Sequence, residues 1–271
     1  MINCHGKLLD FSTPKVMGII NITPDSFYAK SRLKGIEDTL NKVNQFINDK
    51  VDIIDIGGYS TRPGASEVSE RDEINRIIPV VKAIVNNFPQ IPLSIDTFRS
   101  NVARICVEEG ASMINDISGG NLDENMFKTV AELEVPYILM HSKGTPQTMK
   151  KLTNYNDILS DLIFDLSNKI QHLEQLGIKD IIIDPGFGFA KSIDQNFELL
   201  KRINELKILN KPILAGISRK SMIYKKLNIH QDQSMNGTTA LNSFLVQNNI
   251  NILRVHDVNE AKQIIELFHY Q

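Results

Sequence analysis

The run Ile181-Ile182-Ile183-Asp184-Pro185-Gly186 puts a carboxylate where an apolar β-branched segment stops and a turn begins. An isoleucine run bounded in this way reads as a strand buried on both faces, as in a parallel sheet. The carboxyl end of such a strand is where α/β proteins place ligands, although Asp-Pro-Gly is also ordinary turn chemistry. The same arrangement recurs along the chain. Short apolar runs end at Asn21, Gly58, Asp96, Asn115, His141, Asp184, Ser218 with Lys220, and Arg254 with His256. Asp96, Asn115 and Asp184 bring acceptors and one amide donor, and Lys220 adds a donor. That set complements a flat heterocycle whose edge carries adjacent N–H groups beside a carbonyl, because paired N–H groups on a carboxylate make strong charge-assisted bonds. Arg254 can lie over a ring face and also reach an anion. His256, Asn21 and the Ser60-Thr61 turn suit phosphate oxygens, while Gly57-Gly58 allows close backbone approach and by itself specifies little. Taken singly, each residue reads as a cap or turn residue. Their repetition around one rim argues for a site.

Positioning these residues on one rim requires strands side by side. Strand patterns at 16–22, 51–56, 92–96, 112–116, 137–141, 181–184, 212–216 and 251–255 alternate with helical patterns. The helices fall at 36–48, 69–87, 100–109, 124–134, 157–176, 197–206, between 220 and 247, and after 257. In the first, Ile36, Leu40, Val43 and Ile47 have the spacing of one buried helical face. Pro79 predicts a kink in the second. Residues 4–9 read as a short edge-covering start. Alternation of this kind implies a parallel sheet with helical crossovers, and about eight units without a break favour a closed (β/α)8 barrel over an open doubly wound sheet. No linker or low-complexity segment interrupts the pattern, so residues 1–271 are expected to form one domain.

Composition narrows the function classes. The 271 residues are 42% hydrophobic with a net charge of -2, which leaves no electrostatic footprint for nucleic acid or an anionic membrane. An anionic ligand must then be held by a local cluster. Two distant cysteines, Cys4 and Cys106, make neither a disulfide framework nor a zinc array and fit a reducing cytoplasm. The first residues lack the pattern of a secretory signal, and no apolar run reaches membrane-spanning length.

Seven segments together carry a family resemblance: Asn21-Ile-Thr-Pro-Asp-Ser-Phe27, Gly57-Gly-Tyr-Ser-Thr-Arg-Pro-Gly64, Ser94-Ile-Asp-Thr97, Asn115-Asp-Ile-Ser-Gly-Gly120, Asp184-Pro-Gly-Phe-Gly-Phe-Ala-Lys191, Ser218-Arg-Lys-Ser221 and Arg254-Val-His-Asp257. In this order, over nearly the whole chain, they resemble the dihydropteroate synthases. The resemblance implies a pterin-binding (β/α)8 barrel that joins 6-hydroxymethyl-7,8-dihydropterin diphosphate to 4-aminobenzoate and releases pyrophosphate in folate synthesis. It implies that Asp96, Asn115, Asp184 and Lys220 hold the dihydropterin, with Arg254 against its face. Asn21 would coordinate Mg2+ on the diphosphate, and Thr61, Arg254 and His256 would meet diphosphate oxygens. Phe27, Pro63, Phe189, Lys220 and Ser221 would form the aminobenzoate site, with Arg62 brought to the same place by loop 60–64. Asn21, Asp25, Lys220, Arg254 and His256 are the implied catalytic set, and a homodimer packed through late helices is the implied assembly. Methyltetrahydrofolate-dependent methyltransferases share the acidic pterin contacts but not the need for the 60–63 and 218–221 loops. A pterin binder without catalysis is the remaining reading. Its support is one departure from the family pattern: Tyr28-Ala29-Lys30-Ser31 stands where a further residue, an Asp and a Gly pair are usual. That departure predicts a less populated closed loop.

Overall fold

Most barrel strands of the computed structural model pair with the strand before them in sequence, as short crossovers through helices demand. The structure describes residues 1–22, 32–59 and 68–269. An antiparallel hairpin, β1 (Ile2–Cys4) and β2 (Lys7–Leu9), comes first. Then follow β3 (Lys15–Asn21), α1 (Arg32–Asn48), β4 (Ile53–Gly57), α2 (Glu70–Asn87), β5 (Leu93–Asp96), α3 (Ser100–Glu108), β6 (Met113–Asp116) and α4 (Met126–Leu133). The second half holds β7 (Tyr137–Met140), α5 (Ile158–Gln175), β8 (Ile181–Asp184), α6 (Ile193–Lys201), β9 (Leu214–Ala215), α7 (Ser221–Lys226), α8 (Met235–Gln247), β10 (Ile252–Val255) and α9 (Val258–Phe268). The eight parallel strands run in the order β8-β7-β6-β5-β4-β3-β10-β9. The last gap closes through one bridge, Ile183 to Ile213, where the Ile183 N–H donates to the Pro212 carbonyl at 2.9 Å. The result is a nearly closed (β/α)8 barrel, as the alternation predicted.

Residue parity explains both the core and the site. Along each strand alternate side chains point into the barrel. Met17, Ile53, Met113, Ile138, Ile182, Leu214 and Ile252 point inward and form an apolar plug. Two residues further along β4, β6, β8 and β10 the same inward face carries Asp55, Asn115, Asp184 and Arg254. The other face of the strands packs against the helices in a larger cluster that includes Val16, Ile54, Ile95, Ile114, Leu139, Ile183 and Leu253. Burying one such side chain contributes about 1.5–3 kcal/mol, so the two apolar layers fix the register that sets the polar one.

Two elements differ from the sequence expectation. The N-terminal hairpin covers no sheet edge: Ile2 and Cys4 are buried in the plug's cluster, with Leu9 and Phe11 packed beside it. It closes the bottom of the barrel. Helix α6 begins well before residue 197, because Ser192 and Gln195 form a reciprocal capping box; the backbone after it tightens into a 3-10 turn, Ile203–Leu209. Helix α2 spans the expected residues with Pro79 inside it, and it is capped at its start by the Ser69 hydroxyl, which accepts from the Asp72 N–H.

Candidate active site

Register places four neighbouring strand positions in one row. Asn21 pairs with Gly57, Gly57 with Asp96, and Asp96 with Asn115. Gly57 lets the row pack closely: a Cβ at that position would sit 3.2 Å from Asp96 Cβ, closer than ordinary contact. Asn21 is exposed at the rim, whereas Asn115 is buried.

Arg254 reaches this row from β10. Its Nε donates to Asp55 Oδ2 at 2.7 Å and its Nη2 to Asp96 Oδ2 at 2.6 Å. Asn115 Nδ2 donates to the same Asp55 oxygen at 3.2 Å. A buried carboxylate is costly unless paired, and Asp55, with its side chain fully enclosed, meets that cost through Arg254. Burial pushes Asp96 up to about 7, against the Arg254 guanidinium, which pulls it down; Asp55, Glu73 and Asp116 push it further up.

Across the barrel, Asp184 ends β8. Its Oδ1 accepts from the Gly186 N–H at 2.7 Å, which folds the following turn back on the strand. Burial raises the Asp184 pKa, and the nearby Lys220 ammonium opposes the rise. Lys220 lies in the loop after β9 and donates to the Phe187 carbonyl, with its Nζ 4.9 Å from the Phe189 ring centre. Burial pushes Lys220 down to about 8, while Asp184 and Asp96 pull it up and Arg254 adds to the fall. Those shared influences place Asp96, Asp184, Arg254 and Lys220 in one electrostatic unit. Ser221 opens α7, a helix of six residues, so its backbone N–H groups are what it can offer rather than a sizeable dipole.

Two loops of the rim are tied together. The Arg219 side chain grips Asp257 with two bonds, Nε to Oδ2 at 3.0 Å and Nη2 to Oδ1 at 2.6 Å. The His256 N–H donates to Ser218 Oγ at 3.2 Å. The segment bearing Lys220 and Ser221 is thereby fixed to the one bearing Arg254 and His256.

Of the residues anticipated from sequence, the structure brings Asp96, Asn115, Asp184, Lys220, Arg254, Phe189 and Ser221 to one end of the barrel, with Asn21 and His256 on its rim. Asp25, Phe27, Thr61, Arg62 and Pro63 lie outside the described residues, as do Ala29 and Lys30. The feet of the second of those segments are described: the Tyr59 ring packs edge-on to Phe98 at 5.1 Å, and Arg99 Nη2 donates to the Val68 carbonyl at 2.7 Å. Asp55 escaped sequence reasoning. Its signal was present, a lone carboxylate inside the apolar run Ile53-Ile54-Asp55-Ile56.

Among the described residues no group of three or more His, Cys, Asp or Glu side chains converges into a metal cage, and no helix is long and apolar enough to cross a membrane.

Comparison with known proteins places this geometry. Residues 17–256 match the model of the family described as pterin binding enzyme. The chain is 39% identical to the dihydropteroate synthase of Escherichia coli strain K12 over 265 residues, 97% of this chain and 93% of that protein. It is 41% identical to the Clostridium beijerinckii dihydropteroate synthase, covering 93% of this chain and 92% of that one. The Xanthomonas albilineans dihydropteroate synthase solved with 4-aminobenzoic acid superposes with a TM-score of 0.90 at 36% identity, over 98% of this chain and 96% of that one. The Yersinia pestis dihydropteroate synthase in a sulfonamide drug complex also gives 0.90, at 35% identity over 97% and 96%. On these matches over nearly its whole length, the chain belongs to the pterin-binding enzymes and, within them, to the dihydropteroate synthases.

Proposed function

We propose that the inward-facing polar layer holds the dihydropterin while the rim above it carries the transfer to 4-aminobenzoate. The observation that carries the proposal is the placement of Asp55, Asp96, Asn115 and Arg254 in one bonded network directly above an apolar plug. Asp184 and Asn115 accept from the N–H edge of the pterin, Lys220 donates to its carbonyl or ring nitrogen, and Asp96 accepts from the other side. Arg254, held inward by two carboxylates, is oriented to lie against the ring. Engaging diphosphate oxygens as well requires it to give up part of that pairing.

Phe189, Lys220 and Ser221, joined by Phe27, Arg62 and Pro63, form the aminobenzoate side. His256 and Thr61 face the diphosphate, with Asp25 in the same catalytic set. A Mg2+ brought by the diphosphate fits what is present. Mg2+ keeps several waters and takes one or two protein oxygens plus phosphates, so the exposed Asn21 amide oxygen suffices and no protein cage is needed. When bound, Mg2+ neutralises charge on the diphosphate.

The chemistry then needs no base against the arylamine. The bond between the pterin methylene and the diphosphate oxygen breaks, leaving its electron pair on pyrophosphate. The electron-rich dihydropterin spreads the positive charge left on carbon, and Asp96 and Asp184 stabilise that ring electrostatically. The neutral amine nitrogen of 4-aminobenzoate forms the new C–N bond and loses its proton to solvent. Binding positions that nitrogen against the methylene, which substitutes for high concentration.

The unbroken barrel supports reading residues 1–271 as one domain. Exposed Leu227 just after α7, Met235 on α8, and Leu267 and Phe268 on α9 support the homodimer through late helices. The free, buried Cys4 and Cys106 support a reducing cytoplasm. Pyrophosphate release that requires both dihydropterin diphosphate and 4-aminobenzoate tests the reaction; release without the amine, or none with both, rejects it.

A further inference from the structure

Lys191 ends the turn after β8, and its ammonium group is buried rather than exposed. Its Nζ donates to the Gly186 carbonyl at 3.0 Å and to the Phe189 carbonyl at 3.0 Å, and it faces His141 Nδ1 at 3.1 Å and the His141 carbonyl at 3.4 Å. Every partner offers a lone pair. The imidazole does so at Nδ1 because the ammonium facing it can only donate, and burial, and next the Lys191 ammonium, push the His141 pKa far below its ordinary value and keep the ring neutral. Burial above all pushes Lys191 down to about 7, with Asp184 and Asp165 opposing and Lys220 and Lys143 adding to the fall; the shell of acceptors favours the ammonium.

The turn is thus held by two lysines on opposite sides. Carbonyls 186 and 189 point to Lys191, and carbonyl 187 points to Lys220. The backbone between them is demanding: Gly186, Gly188 and Ala190 have φ of 69°, 82° and 49°, the left-handed region. A Cβ at Gly186 would collide with the His141 carbonyl oxygen, so the turn lies directly on the end of β7. The outer side is fixed by Tyr155 Oη donating to the Ala190 carbonyl at 3.0 Å and by the Gly188 N–H donating to Asn196 Oδ1 at 2.6 Å. His141, Tyr155, Asn196 and Lys191 are not among the residues assigned to the pterin above, although the Lys191 charge is felt by Asp184. What they hold in place are the Phe189 ring and the Phe187 carbonyl.

We propose that Lys191 is a positioning residue for the aminobenzoate site: its ammonium, bound between His141 and the Gly186 and Phe189 carbonyls, fixes the turn that presents the Phe189 ring. The inference rests on the assignment of Phe189 to the aminobenzoate side given above. It adds His141 and Lys191, which touch no substrate, to the residues on which the second substrate depends. A lysine that merely stabilised the barrel would leave the ratio between the two substrates unchanged, because the pterin layer and the turn share the same scaffold.

The test is steady-state kinetics and pterin calorimetry on Lys191→Met, His141→Leu and His141→Asn. Wild-type turnover that requires both substrates checks the underlying reading on its own. In Lys191→Met, 4-aminobenzoate KM should rise about tenfold while dihydropterin diphosphate affinity stays within about threefold. His141→Leu should behave similarly. His141→Asn, whose amide oxygen replaces the Nδ1 lone pair, should restore KM to within about threefold of wild type. Should Lys191→Met fail to fold, the two His141 variants give the same contrast. An unchanged aminobenzoate KM in Lys191→Met, an equal loss for both substrates, or a His141→Asn variant as impaired as His141→Leu overturns the proposal.

Discussion

Arg254 and Asp55 form the ionic centre of the barrel: Nε stands 2.7 Å from Oδ2, in a position where the Asp55 side chain is fully enclosed. Because Arg254 also binds Asp96, the pair sets the direction of the guanidinium rather than only neutralising it. Asp55→Ala should therefore cost stability and also release Arg254 from its inward orientation. Removing one partner of a buried ion pair costs about 3–5 kcal/mol. A lowered Tm with a tenfold or greater loss of dihydropterin affinity is expected, from thermal unfolding and calorimetry on the same sample. A lowered Tm with unchanged affinity would separate Asp55 from the site.

Asp184→Asn isolates one oxygen. The amide Oδ1 can still accept from the Gly186 N–H, so the turn survives. The other oxygen becomes an N–H pointed at ligand donors. An unmet buried polar group costs about 1–3 kcal/mol, which predicts a loss of pterin affinity of about one to two decades. Calorimetry showing wild-type affinity would remove Asp184 from the pterin edge.

Pterin affinity should peak in a narrow pH window. Asp96, pushed up to about 7, must be ionised to accept from the ligand, so affinity rises as pH passes upward through that value. Lys220, pushed down to about 8, must be protonated to donate, so affinity falls as pH climbs past it. Titrations between pH 5.5 and 9.5 should show both limbs, and Asp96→Asn should flatten the acid one.

How much of this was legible in the sequence follows from periodicity. Apolar runs ending at Asp184 or Asp96 announce strands and their carboxyl ends together, so the barrel and the polar residues at its rim could be read directly. Asp55 could not, because one carboxylate within Ile53-Ile54-Asp55-Ile56 acquires meaning only when β10 brings Arg254 across the barrel. The Lys191 tie was hidden for the same reason: His141 and Lys191 are fifty positions apart. The hairpin's role at the barrel floor depends on packing against seven strands' worth of plug residues, which local pattern does not contain.

The Arg219–Asp257 pair should matter for turnover more than for folding. Its two parallel bonds join the Lys220 and His256 segments, and a lysine cannot make both. Arg219→Lys should lower kcat/KM about tenfold, corresponding to about 1.4 kcal/mol, with Tm changed by only a few degrees. Equal kcat/KM in the two proteins would make the tie dispensable.

Ala29 and Lys30 lie outside the described residues, so their test is kinetic. We propose that a carboxylate at position 29 favours loop closure over the second substrate. An exposed ion pair contributes about 0.2–1 kcal/mol, so Ala29→Asp should lower 4-aminobenzoate KM by a few-fold at most while leaving pterin affinity intact. An unchanged or higher KM would reject this.

A crystal structure with 6-hydroxymethyl-7,8-dihydropterin diphosphate tests the central claim most directly. The account predicts the pterin N–H edge within hydrogen-bonding distance of the Asp184 and Asn115 side chains, Lys220 moved from the Phe187 carbonyl to the ring, and the diphosphate over Asn21 and His256. A pterin bound elsewhere, or seated in the barrel without contact to Asp184, would contradict it.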